Sequence, residues 1–89
     1  MAYAVKIKPS VRRELKKLRG NNLLRVAKEI DALGQDPFHH GYTKLEAGKN
    51  EKLYRVAVGD YRIIYTVQTK QLIVLVLSVG HRREVYRKR

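Results

Sequence analysis

The 89-residue sequence contains no cysteine, which excludes disulfides and thiolate metal centres and fits a reducing, cytoplasmic setting. It also lacks any long apolar run. The eight residues "LIVLVLSV", Leu72–Val79, fall far short of the roughly 20 that a spanning helix requires, so they read as a strand. The start, "MAYAVKIKPSVRRELKK", is charged within a few residues and has no apolar stretch of signal-peptide type. No Pro/Ser-rich linker, internal repeat or low-complexity segment divides the chain, so one small domain over 1–89 is expected. Acidic residues are scarce. Eight Asp and Glu stand against twenty Lys and Arg, a net charge of +12 with a pI near 10.3. Such a field attracts polyanions and speeds encounter with them. In so small a domain it favours nucleic acid over an anionic membrane or an acidic protein. A membrane-surface helix would need more bulky apolar residues than the basic helix can spare from a core.

What is present alternates in a readable order. "YAVKIK" predicts a first strand, ended by Pro9. Pro9-Ser10 opens a helix, with Ser10 as candidate cap. Its apolar face is Val11, Leu15 and Leu18, and Arg12, Arg13, Lys16, Lys17 and Arg19 lie around the rest. Gly20-Asn21-Asn22 predicts a break. A second helix, with the stripe Leu23, Val26, Ala27, Ile30 and Leu33, ends near Gly34 and completes an antiparallel helical hairpin. "QDPFHHGYTKLEAGKNE" reads as loop with a short extended piece at Tyr42–Leu45.

In "KLYRVAVGDYRIIYTV", two alternating runs flank Gly59-Asp60, a two-residue hairpin signal. The implied register pairs Val58 with Tyr61, Val56 with Ile63 and Tyr54 with Tyr65 on a face that packs on the helices. The other face pairs Ala57 with Arg62 and Arg55 with Ile64, which sets Arg55 and Arg62 diagonally, roughly 7–8 Å apart, with converging guanidiniums. Leu72–Val79, apolar on both faces, predicts a central strand. The expected fold is α+β: an N-terminal strand, a helical hairpin, then a three-stranded antiparallel meander. That makes a four-stranded sheet on two helices, with a short C-terminal tail or helix.

Chemistry is narrowed by elimination. There is no Gly-rich phosphate loop, no acidic pair of glycosidase type and no serine with an obvious base. His39-His40 has neither carboxylate nor cysteine partners in sequence and reads as solvated loop rather than metal site. What remains is Arg55 and Arg62 on the open face, with His81, Arg82, Arg83 and Tyr86 delivered by the last strand. These are expected to meet around a concave basic surface, with Arg87-Lys88-Arg89 a solvated tail. Arginine forks bind two phosphate oxygens at once. RNA brings its own nucleophile, the 2′-OH, so such a set needs only a base and charge stabilisation. Single strand arginines are commonly just exposed, and Tyr86 could equally be a packing residue. On the residues alone the reading stops at a basic α+β domain directed at RNA or DNA.

The chain resembles the RelE/ParE superfamily of toxins from bacterial toxin–antitoxin pairs, over essentially its whole length. The resemblance is most specific at "KLYRVAVGDYRIIYTV" and "VGHRREVY". The second motif favours the RelE branch, whose members cut mRNA in the ribosomal A site, over the ParE branch, which poisons DNA gyrase. It implies a metal-independent endoribonuclease without cofactor, held in check by an acidic antitoxin in a hetero-oligomer able to bind operator DNA through that antitoxin. By the same resemblance Arg62 and Arg82 are the catalytic arginines, Tyr86 is the general base, and Arg55, Lys52, His81 and Arg83 are RNA contacts. Two positions depart from the pattern. Ala57 stands where some relatives carry lysine, and His81 stands where lysine is common, which makes His81 a second acid–base candidate beside Glu46 and Glu51. A gyrase inhibitor and a non-catalytic basic nucleic-acid-binding module are the competing readings.

Overall fold

The computed structural model describes residues 2–39, 41–45 and 52–81. The chain runs β1 (Ala4–Ile7), α1 (Pro9–Lys16), α2 (Gly20–Gln35), β2 (Tyr42–Leu45), β3 (Leu53–Val58), β4 (Tyr61–Gln68) and β5 (Ile73–His81). The strands form a five-stranded sheet in the order β1-β5-β4-β3-β2. The four C-terminal strands make an antiparallel meander, and β1 adds to β5 in parallel. The expected four-stranded sheet is thus one strand short. Tyr42–Leu45 is not merely extended loop but a full edge strand, pairing Tyr42 with Val56 and Lys44 with Tyr54.

Both helices lie on one face of the sheet. Pro9 occupies the first turn of α1, where its missing N–H costs nothing. The N-cap is Lys8 and no side chain caps the helix, so Ser10 sits inside the first turn rather than capping it. The break between the helices falls at residues 17–19, earlier than expected. Lys17 and Leu18 donate backbone bonds to Glu14 and Leu15, and Gly20 already begins α2. Of the stripe on α2, Val26, Ile30 and Leu33 are buried, while Leu23 and Ala27 stay exposed. Arg25 lies against Gly59 at the tip of the β3–β4 hairpin, so the turn before it has no sheet beneath it. At its other end Gly34 meets β1. Its carbonyl accepts the Tyr3 N–H at 2.6 Å, and a Cβ there would come within 2.9 Å of Val5 Cγ2.

The core is Val11 and Leu18 beside Val26, Ile30 and Leu33, closed below by Val56, Ile63, Tyr65, Val74, Val76 and Val79. Tyr65 is fully buried, and its hydroxyl donates to the Pro37 carbonyl at 2.6 Å. That bond ties the segment after α2 to the middle of the sheet. Burial first, and the charge of Glu29 second, hold the phenol pKa above its ordinary value near 10. Tyr65→Phe leaves the Pro37 carbonyl without its partner and should cost about 1–3 kcal/mol in denaturant unfolding. Because the folded pKa is raised, this stabilisation is complete below the unfolded pKa of about 10 and is lost as pH rises above it. The phenylalanine variant should therefore lack that part of the alkaline decline.

The β3–β4 hairpin has the register that its sequence predicts, from Val58 opposite Tyr61 to Tyr54 opposite Tyr65. Of the two residues in this turn, Gly59 takes φ +59° and Asp60 does not have positive φ, the pattern of a type II′ turn that suits a twisted hairpin. β5 lies between β1 and β4, so the central-strand expectation holds. It starts at Ile73 rather than Leu72 and runs past Val79. Gly80 does not end it, but pairs with Arg62, and His81 pairs with Tyr61. The pairing shifts between Ile64, opposite Ser78, and Tyr65, opposite Val76, so Leu77 is an extra residue. This bulge inverts the strand's parity. Val74 and Val76 face the helices on one side of it, and Val79 and His81 on the other. The expected C-terminal tail or helix lies outside the described residues.

Candidate functional site

The side of the sheet away from the helices carries Arg55 and Ala57 from β3, Arg62, Ile64 and Thr66 from β4, and Ser78 and Gly80 from β5. Arg62 stands between the two smallest residues of its row, Ala57 on one neighbouring strand and Gly80 on the other. A long side chain therefore meets no crowding there. Its Nη1 donates to the carbonyls of Gly59 and Tyr61, both at 3.1 Å. Two backbone acceptors thus fix the guanidinium on the turn. The Nε and Nη2 edge makes no bond among the described residues, and this edge can take two oxygens of one phosphate.

The guanidinium points to the hairpin tip, not along the sheet toward Arg55. The diagonal backbone placement of Arg55 and Arg62 is as expected, but convergence of their charged ends is not what the hydrogen bonds show. Arg55 is half-buried on β3. Lys52 is exposed at the start of that strand, and its carbonyl accepts the Thr66 hydroxyl at 2.9 Å. Lys52, Arg55 and Arg62 therefore follow one another along the hairpin from its base to its tip.

His81 does not join them. It pairs with Tyr61, meets that ring edge-on at 5.8 Å between centroids, and lies on the helix side of the sheet. There it lines a cleft of about 320 Å³ with Glu14, Lys17, Leu18, Val79 and Gly80. The bulge at Leu77 is the cause, because without it His81 would share a face with Arg62. Arg82, Arg83 and Tyr86, like Glu46 and Glu51, lie outside the described residues. His39 is not the solvated loop residue expected: its Nε2 contacts the Glu29 carboxylate of α2. Its neighbour His40 lies outside the described residues. Among the described residues, no group of three or more His, Asp or Glu could hold a metal ion, and no helix is long and apolar enough to cross a membrane.

Sequence reasoning missed one residue at this site. Arg25, on the first half of α2, lays its guanidinium on Gly59 at the same turn. A helical residue does not announce a partner more than thirty positions away. The only signal was that Arg25 falls off the apolar stripe.

The sequence profile of the family described as "ParE toxin of type II toxin-antitoxin system, parDE" matches residues 5–86. The chain belongs to the RelE/ParE superfamily of type II toxin–antitoxin toxins. It is 26% identical over 88 residues to the putative toxin RelE1 of Methanocaldococcus jannaschii, covering 98% of each chain. Among solved structures, it resembles RelE in the archaeal RelE–RelB complex of Pyrococcus horikoshii, with a TM-score of 0.80 and 33% identity over 92% of this chain and 97% of that one. It also resembles the isolated RelE toxin of E. coli, with a TM-score of 0.75 and 25% identity over 98% of this chain and 94% of that one. This is a RelE-like toxin of a toxin–antitoxin system.

Proposed function

We propose that this toxin is a ribosome-dependent endoribonuclease that cuts mRNA in the A site by attack of the 2′-OH on the adjacent phosphate. The observation that carries the reading is Arg62, fixed by two carbonyls of its own hairpin with one guanidinium edge left to bind an anion. A pre-oriented cation stabilises charge developing on the phosphorane without reorganising when the reaction occurs. The strand beside it ends at His81, opposite Tyr61, and leads directly into Arg82. Arg82 is assigned as the second catalytic arginine and Tyr86 as the general base, with Arg55, Lys52 and Arg83 as RNA contacts. His81 keeps a role as RNA contact only at the rim, since it faces the helices. Arginines, a tyrosine and the substrate's own hydroxyl are sufficient for this chemistry, so the proposal includes no metal or cofactor.

The partner is an acidic antitoxin. The charge of +12 supports it, as does the Pyrococcus horikoshii relative, which was solved with RelB. The complex is proposed to be hetero-oligomeric and to reach operator DNA through the antitoxin, with the toxin acting in the cytoplasm, where ribosomes translate.

Primer extension on cellular mRNA after induction tests the activity. Cuts should appear inside translated reading frames and vanish from the same message when its start codon is removed. The family profile, described for ParE toxins, favours DNA gyrase inhibition as a second reading. DNA breaks without mRNA cuts, and loss of supercoiling by purified gyrase, would establish that reading instead.

A further inference from the structure

We propose that Arg25 and Arg62 form a paired phosphodiester site straddling the β3–β4 turn, Arg25 holding the RNA phosphate next to the one bound at Arg62. The inference rests on the RNA-directed reading above and extends its binding track around the hairpin tip onto α2.

Both guanidiniums meet at one residue. Arg62 Nη1 donates to the Gly59 carbonyl at 3.1 Å. From the other side, Arg25 Nη1, Nη2 and Cζ lie 3.3, 3.4 and 3.5 Å from where a Cβ on Gly59 would stand. All three atoms lie in or just inside van der Waals contact of that position, so the guanidinium sits where a side chain on residue 59 would stand. Arg25 is exposed, so its N–H groups can reach an anion at the rim of the turn. Gly59 permits this twice over. Its φ of +59° is a conformation that other residues adopt at a cost, and its missing side chain leaves the space that Arg25 fills.

Among the described residues neither arginine at the turn is paired with Asp60 or another carboxylate. Two like charges held within about one residue of each other repel, in a chain that already carries +12. An anion at the rim relieves that repulsion and meets donors from both arginines. A linear polyanion does so best, because successive phosphates can be taken by successive arginines. Arg62 is fixed by two backbone acceptors, so little of its side-chain freedom remains to be lost on binding.

The test uses the full chain and a single-stranded RNA oligonucleotide with every 2′-OH methylated, which can bind but cannot be cut. Affinity is read by fluorescence anisotropy over a salt series for wild type, Arg25→Ala, Arg25→Gln, Arg25→Lys and Arg62→Ala. Arg25→Ala should bind roughly tenfold more weakly at low salt. Its slope of log K against log salt should be shallower by about 0.7, the value for one lost phosphate contact on a single strand. Arg25→Lys should restore the slope and only part of the affinity, since a point charge replaces a fork. If Arg25→Ala also melts at a lower temperature, Arg25→Gln keeps an unbranched polar side chain of good helix propensity without the charge and carries the comparison. Unchanged affinity and slope in Arg25→Gln overturn the paired site and reduce Arg25 to a packing residue on Gly59. That failure is distinct from failure of the parent reading, which would show as wild type and Arg62→Ala binding the RNA equally.

Discussion

Tyr86→Phe should lower single-turnover cleavage on saturating programmed ribosomes by roughly 10²–10⁴, the range for loss of a general acid–base group, while folding and ribosome binding persist. The change removes one oxygen and keeps the ring, so packing is preserved and only proton transfer is lost. A free tyrosine titrates near 10, so acting as a base near neutral pH requires stabilisation of its phenolate. Arg82 and Arg83 precede it by four and three residues, and nearby cations favour the charged form. Arg62→Ala should also reduce cleavage, by removing charge that stabilises the phosphorane, but it should weaken RNA binding as well. The separation between the two variants is therefore the diagnostic: rate alone for Tyr86→Phe, rate and affinity for Arg62→Ala. Near-normal cleavage by Tyr86→Phe would remove tyrosine from the base role. His81 would then be a poor replacement, since it is turned to the α1 side with Tyr61 and Glu14. Glu46 or Glu51 would become the variants to make.

How far the sequence reaches depends on whether a pattern marks which way each side chain faces. In β3 and β4 polar and apolar residues alternate about Gly59-Asp60, and the register from Val58–Tyr61 to Tyr54–Tyr65 could be read directly. The stretch "LIVLVLSV" carries no such mark. It is apolar on both faces because β1 and β4 flank it and the helices cover one side, so a bulge at Leu77 changes nothing in its composition. Yet that bulge decides where His81 points. β2 was legible as extended but not as part of the sheet. Its "YTKL" pairs with β3 along one edge only, and three of its four residues are exposed, so burial leaves no alternation to find. The placement of Arg62 was legible. The two carbonyls that hold it, and Arg25 across the turn, depend on three-dimensional approach and were not.

Cleavage should depend on translating ribosomes, with naked mRNA cut slower by several orders of magnitude. The reason lies in where the aromatic rings are. Single-stranded RNA is usually held by bases stacking on exposed aromatic side chains, worth roughly 1–3 kcal/mol per base. Here Tyr54, Tyr61 and Tyr65 occupy alternate positions on the helix side of the hairpin. Phe38 and Tyr42 join Tyr54 in edge-to-face contacts on that same side, and Tyr3 packs against the core. Among the described residues no aromatic ring stands on the face of Arg55 and Arg62. That face offers cations, which bind a phosphate backbone without fixing which bond is presented or in what geometry. In-line attack by a 2′-OH requires the nucleophile, phosphorus and leaving oxygen to be aligned, and such alignment contributes about 7–11 kcal/mol in well-oriented systems. A face with no stacking platform among its described residues must obtain that order from its surroundings, and mRNA threaded through a ribosome is already held base by base. The measurement compares single-turnover rates on one message, free and in programmed ribosomes, each at saturating protein. Equal rates would mean that the toxin orients its substrate unaided, and the missing platform would then have to come from residues beyond His81, with Tyr86 the first to test by stacking rather than by proton transfer.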